Sequence, residues 1–168
     1  MRARVAVLAS LAVVALLAGC GSSKKNSGPT KAQYVASVDA VCSAAKSHTA
    51  PLIQQLTSAG TRIATGGPAF ARQVAPVVQK LRMEAEASLA KIKMLKRPAG
   101  ESAAIERLLS PLSSIIAVAG RAEAELKAGQ GAQALGLLAQ VQPDAEAAAK
   151  AAKEYGVAPC GEILNVFG

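Results

Sequence analysis

Four stretches of this chain repeat apolar residues at alternating intervals of three and four, and that period most limits the folds open to it. The first runs through Val35, Val38, Cys42, Ala45, Thr49, Leu52 and Leu56. The second takes Phe70, Val74, Val77, Leu81, Ala85, Ser88, Ile92 and Leu95, and the third Ile105, Leu108, Leu112, Ile115, Ala119, Ala122 and Leu126. The fourth runs through Ala134, Leu138, Val141, Ala145, Ala148, Ala152 and Tyr155. An α-helix gathers such positions on one face, whereas a half-buried strand needs alternation at every second residue. Composition agrees, because the chain is rich in Ala, Leu and Val and only 2% aromatic. That balance favours helices over sandwiches or barrels built on β-branched and aromatic residues. The expected fold class is all-α.

Local punctuation supports the same division. Thr30 with Gln33 forms a capping box ahead of the first stripe, which stops at Gly60. Pro68 suits a first helical turn, Arg97-Pro98-Ala99-Gly100 closes the second stripe, Gly129 the third, and Gly156 with Pro159 the fourth. Helices of about 25 residues would be about 38 Å long. Joined by short connections they become antiparallel neighbours, an up-down four-helix bundle. Each stripe holds one proline, Pro51, Pro76, Pro111 and Pro143, expected to kink or split its helix by removing a hydrogen bond. Pro143, followed by Asp144 and Glu146, reads most clearly as a restart.

The first 28 residues read differently. Arg2 and Arg4 precede an uncharged run from Val5 to Gly19, a positive segment and then an apolar one of secretory-signal length. Fifteen helical residues rise about 22 Å, short of the roughly 30 Å hydrocarbon core. Leu17-Ala18-Gly19-Cys20 resembles the lipobox of bacterial lipoproteins, in which a signal peptidase cuts before a cysteine already carrying a diacylglyceryl group. The resemblance implies that residues 1–19 are a lipoprotein signal peptide and that Cys20 is the lipidation site, bearing two or three acyl chains such as palmitate. Two chains suffice for stable anchoring where one is marginal. The alternatives are an ordinary secretory signal with a chance cysteine, or an uncleaved anchor. Residues 20–29, rich in Gly, Ser and Lys, read as a flexible tether that holds the domain roughly 17 Å from the bilayer. Residues 30–168 are then the helical bundle domain.

The chain has 3 cysteines, and export would place Cys42 and Cys160 in an oxidising compartment. A two-cysteine metal site or redox pair is the alternative, but neither cysteine has a Cys-x-x-Cys partner or a histidine cluster beside it. The expectation is one disulfide, reached if the chain after Tyr155 returns along the first helix. Closing a loop of that size contributes up to roughly 5 kcal/mol.

"KAQYVASVDAVCSAA" and the late "EYGVAPCG" resemble a group of small bacterial lipoproteins in which an aromatic residue, an Asp and a Cys open the first helix and a Tyr-Gly…Cys element closes the domain. The resemblance touches both ends of residues 30–161 and implies fold and anchoring without an assigned activity. Asp39, about one turn before Cys42 on the flank of the first stripe, is the one polar residue that stands out. Either its carboxylate accepts backbone hydrogen bonds from residues 156–161, which would lower its pKa, or it is solvated.

A search for chemistry finds no catalytic, cofactor-binding or metal signature. His48, the only histidine, lies at the edge of the first stripe and reads as a solvated boundary residue. There is no Gly-x-Ser-x-Gly elbow, and none of the Glu-x-x-His pairs that build di-metal sites in bundles. Glu84 with Glu86 and Glu123 with Glu125 are two residues apart, which sends the members of each pair to different faces. Glu84 and Glu86 read as surface partners of Lys80 and Arg82. Loss of Arg2 and Arg4 with the signal leaves 17 basic against 11 acidic residues, a net charge of +6. The densest run, Lys91, Lys93, Lys96 and Arg97, reads as a complement to a helix C-terminus, or as a contact for anionic lipid or cell-wall polymer. Nucleic acid is not expected as a partner, because stacking aromatics are missing. The sequence thus points to a membrane-anchored, extracytoplasmic binding or interaction module of the cell envelope that is not an enzyme. The alternative is a purely structural envelope lipoprotein without a small ligand. An apolar pocket between helices at the prolines would distinguish them.

Overall fold

The computed structural model of the chain describes residues 28–164. Its elements are α1 (Lys31–Ala59), α2 (Arg62–Thr65), α3 (Gly67–Met94), α4 (Ser102–Ala128), α5 (Gly131–Ala139), α6 (Gln142–Tyr155) and α7 (Ala158–Leu164). The protein is all-α, with no strand among the described residues. Residues 1–19, most of the tether including Cys20, and the last four residues lie outside the described residues.

α1 begins where its capping box requires. Thr30 Oγ1 accepts from the Gln33 N–H at 3.2 Å, and Gln33 Oε1 accepts from the Thr30 N–H at 2.9 Å. Both donors would otherwise stay unpaired at the helix start. The buried face of α1 is Tyr34, Val38, Cys42, Ala45 and Thr49, the expected stripe displaced to Tyr34 at its start. α4 buries Ile105, Leu108, Leu109, Val118, Ala122, Glu123 and Leu126. α3 is rotated from expectation, burying Ala71, Val74, Ala75, Val78, Leu89 and Ile92.

The prolines divide into two kinds. α1, α3 and α4 continue through Pro51, Pro76 and Pro111, so none of these splits its helix. Pro51 and Pro76 are exposed, which leaves the carbonyl each one orphans on the water side, where solvent can satisfy it. Pro143 sits in the first turn of α6, so the fourth stripe is two helices. Between them the Gln140 and Val141 N–H groups bond to Leu137 O (2.9 Å) and Leu138 O (3.2 Å), a tightened turn that ends α5.

α4 packs on α3, α5 and α6, whereas α1 packs on α3 and α7. Gly131 is required where α2 crosses the start of α5, because a Cβ there would overlap the Ile63 carbonyl. Gly156 caps α6 at φ +98, and both its N–H and that of Val157 reach Ala152 O, at 3.0 and 2.9 Å. This left-handed cap turns the chain back so that α7 lies against α1 and α6. The sequence reading had no helix here, where the segment is 7 residues long and contains Gly161. The core is in two clusters. One joins Tyr34, Val38 and Cys42 to Leu89, Ile92, Ile105, Leu108, Leu109, Tyr155, Val157 and Cys160. The other joins Ile63, Val74, Val78, Ala122, Leu126 and Ala134. The caps, both clusters and the cysteine pair are formed among the described residues.

Candidate functional site

Along α1, α3 and α4, between the two core clusters, runs a cavity of about 170 Å³. α1 lines it from Cys42 to Leu56, α3 from Val78 to Ile92, and α4 from Leu112 to Ala119. Leu138 and Val141 at the α5–α6 break, and Cys160 and Ile163 of α7, complete the wall. Two features of the sequence open this space. Ala45, Ala85 and Ala119 put methyl groups where larger side chains would interdigitate. The fourth stripe also breaks beside Val141, so a continuous helix does not cover this level.

The wall is almost wholly apolar. Its polar members are Thr49, Arg82 and Ser88. Thr49 Oγ1 donates to Ala45 O at 2.9 Å, back into its own helix. Arg82 is engaged elsewhere: its Nε donates to Glu123 Oε2 at 2.8 Å and its Nη1 to Glu86 Oε1. Lys127 donates to the other Glu123 oxygen. The hydrogen bond from Lys127, helped by the one from Arg82, holds the Glu123 carboxyl below the usual range against the opposing effect of desolvation. Glu123 and Glu86 in turn raise Arg82. Glu123 is 5% exposed but lies just beneath the surface, roofed by Arg82 and Lys127. Sequence reasoning had it only as one of a spaced pair of acids; Lys127 four residues on was the available signal.

Cys42 and Cys160, 118 residues apart, stand at disulfide distance with a Cα–Cα separation of 5.1 Å, at one end of the cavity. Lys46 and Glu162 pair at 2.6 Å beside them, a second link between α1 and α7. The motif residues at the two ends of the domain meet in the same cluster. The Tyr34 and Tyr155 rings pack edge to face, centroids 6.1 Å apart, and the Lys31 ammonium lies 4.5 Å above Tyr155. Neither hydroxyl has a partner, and burial, with the nearby Glu101 charge, pushes the Tyr155 phenol up to about 12.

Asp39 behaves oppositely to the expectation of a carboxylate bonded to the returning chain. One of its oxygens is buried without a partner, and desolvation raises its pKa. Two of the expected donors, the Gly156 and Val157 N–H groups, are spent on Ala152 O in the cap of α6, and Pro159 has no N–H to give. His48 is exposed and sits 3.4 Å from Glu84, which therefore faces α1 and not Lys80. Glu86 does pair with Arg82. Among the described residues no group of three His, Cys, Asp or Glu side chains is placed to hold a metal. Lys91, Lys93 and Lys96 are exposed around Met94, which is 78% exposed, whereas Arg97 pairs with Glu106 at 2.6 Å. Gly28 lies against the Arg97 carbonyl, so the chain enters the domain at this basic end.

The described residues form an all-helical protein with an apolar cavity between its helices. No family model, no curated protein and no solved structure matches the chain. Among the described residues α4 is long and apolar enough to cross a membrane, with a mean hydropathy of 1.3. Its apolar residues also serve the two clusters and the cavity wall.

Proposed function

We propose that the protein is a non-catalytic binding module of the cell envelope, anchored at the extracytoplasmic face of the membrane through acylated Cys20, and that the cavity takes an apolar ligand. The cavity carries the reading. Its volume of about 170 Å³ and almost wholly apolar wall suit a small apolar molecule, and an engineered cavity of about 150 Å³ with similar walls binds benzene. In this reading α1, α3, α4 and the α5–α6 pair form an antiparallel up-down four-helix bundle, closed by a Cys42–Cys160 disulfide. The basic end around Lys91, Lys93 and Lys96, where the tether enters, faces anionic headgroups or wall polymer.

The test is methyl NMR of the full chain, titrated with benzene and with hexane. Saturable shifts at Ile53, Ile115 and Leu138 are expected; unmoved spectra in both titrations refute the binding module. Anchoring is tested separately by Cys20→Ser in the full chain, which should leave an unprocessed precursor or release protein from the membrane fraction. A cleaved form that stays membrane-bound at unchanged mass refutes the anchor.

A further inference from the structure

Lys91 and Lys93 lie in the last turn of α3, where cations meet the negative end of the helix dipole. The dipole does not account for their neighbours. Lys96 lies past the end of the helix, and Met94, its final residue, leaves a large apolar side chain 78% exposed. Lys91, one turn before Met94, shares its face of the helix. All three lysines are exposed, and none takes part in an ion pair among the described residues. Glu101 and Glu106, at the start of α4, are held instead by Lys31 and Arg97. Three cations thus surround an exposed methionine with no carboxylate to answer them.

We infer that this end of α3 is a membrane-docking surface, on which Met94 enters the apolar edge of an anionic lipid leaflet while Lys91, Lys93 and Lys96 hold its headgroups. This rests on the reading of Cys20 as the acylated anchor. Gly28 lies against the Arg97 carbonyl and the Lys96 side chain, so the chain reaches the domain at this end. It does so eight residues on from Cys20, a coil of roughly 16 Å, in a stretch that adds Lys24 and Lys25 and holds no acid. The tether therefore keeps this end near the bilayer. A second copy of the chain would bring like charges face to face, and a wall polymer offers charge but no apolar layer for Met94. An anionic leaflet offers both, because lysine stems lie along apolar surface while their ammonium groups reach the headgroups. Near such a surface each lysine favours docking about fivefold, the equivalent of about 1 kcal/mol, so the three together contribute on the order of 100-fold.

The chain contains no tryptophan, so Met94→Trp places a single indole at the proposed contact. Met83→Trp is the reference, since Met83 is also exposed and lies about 16 Å back along α3. Each full-length variant is expressed in an exporting host, purified in detergent and reconstituted in vesicles of phosphatidylglycerol or of phosphatidylcholine. In phosphatidylglycerol the emission of Met94→Trp should move to the blue and be quenched by lipids brominated on their acyl chains, whereas Met83→Trp should stay as in water. Adding Lys91→Glu, Lys93→Glu and Lys96→Glu should abolish the shift. So should 1 M salt, where the screening length falls to about 3 Å, and this arm needs no further substitution. A protein that stays with the vesicles while its Met94→Trp indole remains in water overturns the docking and leaves the anchor standing. Equal shifts in both lipids, equal quenching at both positions, or a shift given only by soluble poly(glycerol phosphate) also overturns it. Protein that leaves both kinds of vesicle overturns anchor and docking together, and protein held by phosphatidylglycerol alone, with the indole quenched, overturns the anchor and keeps the docking.

Discussion

Replacing Ala85 by leucine adds three carbons to a wall that faces empty space, and the structure sets both sign and size of the effect. In a filled core the extra atoms would overpack and cost about 1–3 kcal/mol. Here they enter a cavity of about 170 Å³ that Ala45 and Ala119 also line. Burying three carbons at about 0.8 kcal/mol each contributes up to about 2.4 kcal/mol. Ordering the leucine side chain removes about 0.5–1 kcal/mol, and its lower helix propensity a few tenths more. A gain of about 1–2 kcal/mol remains. For a domain of this size that raises Tm by roughly 3–8 °C. Urea unfolding should show a higher midpoint with an unchanged slope, because the surface exposed on unfolding barely changes. Hexane should then bind Ala85→Leu more weakly than the parent. A loss of about 1 kcal/mol or more would mean that the space between α1, α3 and α4 is filled in solution, and the argument from the cavity would fall with it.

Three further predictions come from charges and covalent links. Non-reducing mass mapping should join the peptides holding Cys42 and Cys160, and reduction should destabilise the domain by up to roughly 5 kcal/mol; two free thiols in exported protein would contradict this. Asp39 has a raised pKa, so its burial costs stability at neutral pH, and the cost disappears as pH falls and the native state takes up the proton first. Asp39→Asn should therefore be neutral or stabilising by up to about 1 kcal/mol at pH 7, with the advantage fading below about pH 4; a lowered Tm at pH 7 would reveal an unseen partner. Glu123 has a lowered pKa, so its contribution is full above the unfolded value of about 4.3 and is lost as pH falls through the folded one. Glu123→Gln should cost about 2 kcal/mol at pH 7 and much less near pH 3, and equal losses at both would show that shape, not charge, holds α3 to α4.

Much of the fold could be read from local pattern. The capping box at Thr30, the stop at Gly60 and the stripe through Val38, Cys42 and Ala45 depend on residues within a few positions of one another, and all reappear. Pro143 restarts a helix because the residues after it favour a first turn. Pro51, Pro76 and Pro111 carry the same local penalty yet leave their helices continuous, because neighbouring helices bind both halves of each and repay the lost bond.

The sequence by itself determined the helical period and the residues that end helices, since backbone sterics and hydrogen bonding between near neighbours decide these. Tertiary structure decided the rest. Glu123 is covered because Arg82 reaches it from 41 residues away, and Asp39 lacks its expected donors because the cap of α6 takes the Gly156 and Val157 N–H groups. The cavity belongs to no single stretch of sequence. Ala45, Ala85 and Ala119 on three helices line it together with residues at the α5–α6 break, and its volume depends on how separate surfaces fit.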